Sequence, residues 1–205
     1  MFAYLTAAGL SASAGLNAYI PLLIVGLLSQ FTDAIRVPSG FDWLTDWWAL
    51  TVMSVLLVVE FVVDKVPVVD HVNDVLQTLV RPAAGGAVAA ATASAGQIDE
   101  VTGTVVATSG DTAAGWIVGG VVALTVHAVK ALVRGMINAG TFGVGAPVAS
   151  TAEDVGATGL SLAAVLVPIL AGIGLLVLAV LLWRLWLARR RWRARRERKR
   201  QQVTA

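Results

Sequence analysis

The chain has 205 residues, 57% of them hydrophobic and 14% charged, with no cysteine and two histidines. A soluble domain carries roughly 25% charged residues, so the composition argues against a water-exposed globule; disulfide and thiol chemistry are excluded, and a Cys/His zinc site has almost no material. The net charge of +2 hides an asymmetry: residues 1–183 hold five basic and twelve acidic side chains, whereas residues 184–205 hold ten basic and one acidic.

The first residues, MFAYLTAAGL, lack the basic n-region of a cleavable signal. A short N-terminus entering the membrane directly is expected. Residues 3–32 form one apolar segment, and Gly15, Asn17 and Pro21 fall together inside it. Proline removes a backbone donor and kinks a helix, so a break near 15–21 is predicted, with Asn17 capping the second half or contacting a ligand. Residues 33–48 read as a connection, ending in Trp43, Trp47 and Trp48 at an expected headgroup level. A second span over about Trp48–Val66 ends in Glu60 and Asp64, which lie four apart and so on one helix face.

Pro67 should stop or bend that span. A third element is expected from about Asp70 to Ala95, interrupted at Arg81–Pro82, either as a kinked span or as a re-entrant pair of halves. Asp70 can cap it, and its small residues favour close packing against other helices. Residues 96–111 are polar, with VTGTVVAT as a short strand or a loop. A fourth span over about 112–134 carries His127, Lys130 and Arg134 on one face. The glycine-rich run 135–157 reads as a loop. In it, Ser150 and Glu153 form a capping-box pattern that starts the last helix at about Thr151. That helix crosses at about 160–183, with a kink at Pro168.

The predicted fold class is all-α: a polytopic membrane helical bundle of about five spans, with broken or re-entrant helices near 15–21 and 67–82. Residues 1–183 form the membrane domain and 184–205 a basic cytoplasmic tail. The positive-inside rule places that tail in the cytoplasm, at the plasma membrane or cell inner membrane. The bilayer is the expected partner, with anionic lipid headgroups at Arg189–Arg200. A homo-oligomer is compatible with the small-residue faces. Nucleic acid is not expected, because a bare arginine run supplies no base-reading groups. No cofactor is predicted.

Charges inside membrane-type sequence are costly unless paired or wetted, and mark functional candidates. The set is Asn17, Glu60, Asp64, Lys65, Asp70, His71, Asp74, Arg81, His127, Lys130 and Arg134. Counting spans back from the tail places the ends of the second and fourth spans and the start of the third at one level, where acids can meet bases. The first expectation is a transporter or channel with a polar cavity at this cluster, its substrate unknown. The alternative is a structural or partner-binding subunit whose charges lock helices together. A third is a membrane-embedded enzyme acting on lipid phosphates; no nucleophile elbow or metalloprotease spacing supports it, and catalysis is the least favoured. Metal binding stays open: D-H-x2-D at 70–74 matches no known pattern, although carboxylates can hold Mg²⁺.

Five pieces carry a resemblance: GLNAYIPLL at 15–23, E-x3-DK-x-P-x2-D at 60–70, RP-x2-G at 81–85, K-x3-R at 130–134 and S-x2-ED at 150–154. Together they resemble a family of uncharacterised prokaryotic integral-membrane proteins, domain of unknown function 4126, from about Gly9 to about Leu182. The resemblance implies the membrane fold and marks positions. It implies no activity.

Overall fold

The computed structural model describes residues 2–32, 34–65, 67–93, 97–98, 105–106 and 110–170, with scattered positions between 172 and 184. It divides into one unit of residues 1–171 and another of residues 172–205. In the second unit the described residues are helical, and Trp183 and Arg184 are exposed. The arginine-rich run 189–200 lies outside the described residues.

The first unit is all-α apart from one two-residue ladder. Its elements are α1 (Phe2–Leu16), α2 (Tyr19–Phe31), a 3-10 turn (Asp42–Thr45), α3 (Trp47–Val63), α4 (Pro67–Ala93), β1 (Gln97–Ile98), β2 (Val105–Val106), α5 (Gly110–Thr141) and α6 (Ala146–Leu166). The expected all-α class holds. β1 and β2 pair antiparallel within the polar interval between α4 and α5.

The break predicted near 15–21 falls at Asn17–Ala18, between α1 and α2. Ala18 already has helical dihedrals, φ −66° and ψ −36°. The Asn17 side-chain oxygen accepts the backbone N–H groups of Tyr19 and Ile20 at 3.0 and 3.2 Å. Asn17 therefore caps α2, taking two of the donors that a helix start leaves orphaned.

The second predicted break is absent. α4 runs unbroken through Pro82 for 27 residues, about 40 Å at 1.5 Å per residue. It starts at Pro67, where a fixed φ and a missing N–H suit the first helical position. On the C-terminal side of Pro82 the helix is packed closely against its neighbours. Ala84, Ala87, Val88, Ala90 and Ala91 are buried. A Cβ at Gly115 of α5 would lie 2.6 Å from the Cα of Ala90, and one at Gly119 would collide with Ala89. The small-residue faces of α1, α4 and α5 thus meet one another within one chain.

Two boundaries at the far end also differ from expectation. α5 continues to Thr141, so the predicted loop 135–157 shrinks to Phe142–Gly145. Phe142 (φ 52°) and Gly143 (φ 85°) take the left-handed conformations that turn the chain. α6 then starts at Ala146, which leaves Ser150 fully buried inside the helix rather than capping it. Composition had suggested a loop because several glycines fall there, and an interior glycine costs only about 1 kcal/mol. α6 ends at Leu166, just before Pro168.

Among the described residues one helix, Thr112–Thr141, is long and apolar enough to cross a bilayer; Tyr19–Phe31 and Trp47–Val63 are apolar but shorter. Five full-length apolar helices are therefore not present by that measure. The physical reason is local. Asn17 halves the first apolar segment, and α4 carries its polar residues in its first half. Only 28% of the most apolar window of Thr112–Thr141 is buried, which is unlike the core helix of a soluble protein.

The surface is inverted relative to a soluble domain. Val55, Val58, Val59 and Val62 of α3, Leu76 and Leu79 of α4 and Ile117, Val118 and Val121 of α5 are exposed. Glu60, Asp64, Arg81, His127, Lys130 and Arg134 are buried.

Candidate functional site

The site forms where α1 ends. A helix end leaves carbonyls without partners, and here two buried cations take them. Arg81 Nη1 of α4 donates to Gly15 O at 3.0 Å. Lys130 Nζ of α5 donates to Leu16 O at 2.8 Å. Positive charge is favoured at a helix C-terminus, so the broken helix and the cations stabilise each other.

Each cation also reaches a carboxylate. Arg81 Nη2 contacts Glu60 Oε1 at 2.8 Å, with the two side chains 0% and 2% exposed. Lys130 Nζ lies 3.1 Å from Glu153 Oε2 and 3.7 Å from Asp64 Oδ2. Arg134 Nη1 lies 3.3 Å from Asp64 Oδ2, and Arg134 Nη2 pairs with Glu153. Asn73 Nδ2 donates to Asp64 Oδ1 at 2.9 Å. The result links α3, α4, α5 and α6 around the end of α1. Lys130 and Arg134 are four apart on α5 and present one face to these acids.

His127 lies one turn before Lys130 on α5. Arg81 Nη1 is 3.3 Å from its Nδ1, and Thr78 Oγ1 is 3.2 Å from its Nε2. A guanidinium only donates, so Nδ1 accepts and the ring proton sits on Nε2, facing Thr78. This tautomer follows from the partners.

The remaining predicted residues separate. Asn17 Nδ2 donates to Asp154 Oδ1 at 3.0 Å, tying the helix break to α6. Lys65 stays outside the cluster: its Nζ donates to Phe61 O at 2.9 Å and sits over the Phe61 ring. Asp70, His71 and Asp74 fall on α4, but their side chains lie outside the described residues. Sequence reasoning gave Glu153 and Asp154 only a capping role. Two adjacent acids beside an apolar run were the available signal, masked by the S-x2-E spacing.

A metal cage is not evident. No three His, Asp or Glu side chains are grouped to hold a metal among the described residues. A separate apolar cavity of about 330 Å³ lies between α1, α4 and α5, lined by Tyr4, Ala8, Ala89, Gly115 and Val118. It shares no residue with the ionic network. Chemically, the network is a set of charges paired across four helices around the end of a fifth, with Glu60 Oε2 and Arg81 Nε buried and without a hydrogen-bond partner. Removing one member of such a pair is far costlier than replacing the pair by apolar residues.

A family profile described as a domain of unknown function, DUF4126, matches residues 4–188. The chain belongs to that family. The DUF4126 match covers every residue of the ionic network and stops short of most of the basic tail. It agrees with the resemblance carried by the five sequence pieces. No curated protein and no solved structure matches the chain.

Proposed function

We propose that this protein is a small multi-pass membrane component whose buried ionic network locks its helices into one arrangement, serving as a structural or partner-binding subunit. One observation carries this: the buried acids and bases pair across helices, while the outward faces of the same helices are apolar. In hydrocarbon, charge is tolerated when it faces the bundle interior and is paired. A large exposed apolar surface is itself the mark of a lipid or protein contact.

In this reading α3, α4, α5 and the segment from α6 onward cross the bilayer, and α1 and α2 are two half-helices that meet at the Asn17–Ala18 break and return to the end where α5 begins. The break at Asn17–Ala18 is acceptable in a membrane because protein groups satisfy its backbone. Trp43, Trp47 and Trp48 are exposed at the start of α3, which suits the interface. The basic tail then lies on the cytoplasmic side against anionic lipid. Residues 1–183 are the membrane domain and 184–205 the tail.

A double-mutant cycle tests the lock. Asp64→Asn and Arg134→Gln, singly and together, are compared by thermal melting in detergent. A coupling of about 0.5–3 kcal/mol is expected for residues in one network. Additive losses would remove the lock.

One observation keeps transport as the second reading. Glu60 Oε2 is buried and has no hydrogen-bond partner, as a site for a moving proton or ion would require. Glu60→Gln in proteoliposomes should abolish ion- or pH-dependent flux if Glu60 carries it. Flux absent from both proteins, with intact coupling in the cycle, leaves the structural reading.

A further inference from the structure

Among the described residues, one acid beside the ionic network is paired with no cation. Among the described buried groups, Arg81 answers Glu60, and Lys130 with Arg134 answers Asp64 and Glu153. Asp154 is left over. Its Oδ1 accepts from the neutral Asn17 amide at 3.0 Å, and its Oδ2 is buried without a partner.

Two other oxygens without partners belong to the same region: Ser150 Oγ, on a residue 0% exposed, and Asn138 Oδ1. Ser150 and Asp154 are four apart on α6 and share a face. Asn138 is four beyond Arg134 on α5, so it continues the face that Arg134 turns toward Glu153. α5 and α6 are antiparallel about the short link at Phe142–Gly145. The Arg134–Glu153 pair fixes their register and brings Asn138 level with Ser150. By helical spacing and this register, a carboxylate oxygen, an amide oxygen and a hydroxyl oxygen, each buried and without a partner, fall at neighbouring positions of the facing helices.

We propose that Asn138, Ser150 and Asp154 form a binding site for one small monovalent cation of the sodium type. The donor set is hard oxygen only, which suits such an ion and not a transition metal. The charge argues against a divalent ion. One positive charge neutralises Asp154, whereas two would leave an excess next to Lys130 and Arg134. Among the described residues, Glu153 and Arg134 neighbour the site in sequence and pair with each other, and Lys130 and Asp64 pair with them in turn. Asn17 positions the Asp154 carboxylate from the helix break, so occupancy would clamp α6 onto the α1–α2 joint. The site stands independently of the structural reading, because it uses none of the paired charges.

The test is thermal melting of the purified full chain in detergent at fixed pH and ionic strength, titrating NaCl against choline chloride. Sodium should raise the melting temperature saturably, by about 5–11 °C at a hundredfold excess over its Kd. Potassium and magnesium should do less. Asp154→Asn should abolish the sodium-dependent shift. Ser150→Ala removes one ligand, leaves every ion pair in place and should weaken the apparent sodium affinity at least threefold. Equal melting in sodium and choline would overturn the site. So would a sodium shift unchanged in both variants, or a dependence on pH with none on sodium, which would mean that a proton neutralises Asp154. The Asp64/Arg134 cycle run in choline reports on the lock alone, so the two ideas can fail separately.

Discussion

Asn17 and Pro82 make an instructive pair. Both sit in small-residue stretches, and both carry a local signal for interrupting a helix. The chain breaks at Asn17–Ala18 and runs straight through Pro82. Proline is the stronger breaker in isolation, at about 3 kcal/mol in a helix interior. What differs is the destination of the backbone groups. At Asn17 the freed carbonyls of Gly15 and Leu16 meet Arg81 and Lys130, and the freed N–H groups of Tyr19 and Ile20 meet the Asn17 side chain. At Pro82 the helix continues, and from there on α4 packs closely against α1 and α5. A buried helix breaks where partners exist for its ends, and local propensity comes second.

Three substitutions would break or sharpen that contrast. Arg81→Met should have the largest effect. It removes the donor to Gly15 O and leaves Glu60 buried without its cation. A loss of about 3–5 kcal/mol is expected, read as a collapse of the detergent melting temperature. Restoration by Glu60→Gln on the same background would tie the loss to the stranded carboxylate. Next comes Asn17→Ala, which deletes the α2 cap and the donor to Asp154. A loss of about 1–2 kcal/mol is expected, with faster amide hydrogen exchange at Tyr19 and Ile20. Unchanged exchange there would mean that the cap is not what holds the start of α2. The smallest effect belongs to Pro82→Ala. If packing rather than sequence keeps α4 continuous, alanine should keep the helix and shift stability by about 1 kcal/mol or less, because its better helix propensity is set against the freedom that proline takes from the unfolded chain. A clear destabilisation would show that the proline's own geometry shapes the helix.

The same logic explains which parts of the site were legible in the sequence. His127, Lys130 and Arg134 could be placed on one face because helical spacing is local information. Glu60 and Asp64 were visible as charges in an apolar run for the same reason. Their partners were not visible. Glu60 pairs with Arg81 and Asp64 with Arg134 because α3, α4 and α5 pack together, and Glu153 joins Arg134 because α6 packs where the link at Phe142–Gly145 directs it. The glycines of residues 135–145 looked like a loop, and burial made most of them helix.

Composition and spacing alone point to a mainly helical, strongly apolar chain with its polar residues gathered at a few positions, since both follow from which side chains water will accept. Which acid meets which base, and which helix-breaking signal is obeyed, depend on partners brought from distant parts of the chain. Those contacts arise only when the helices pack, because a buried polar group is governed by the neighbours it finds and not by the residues beside it in sequence.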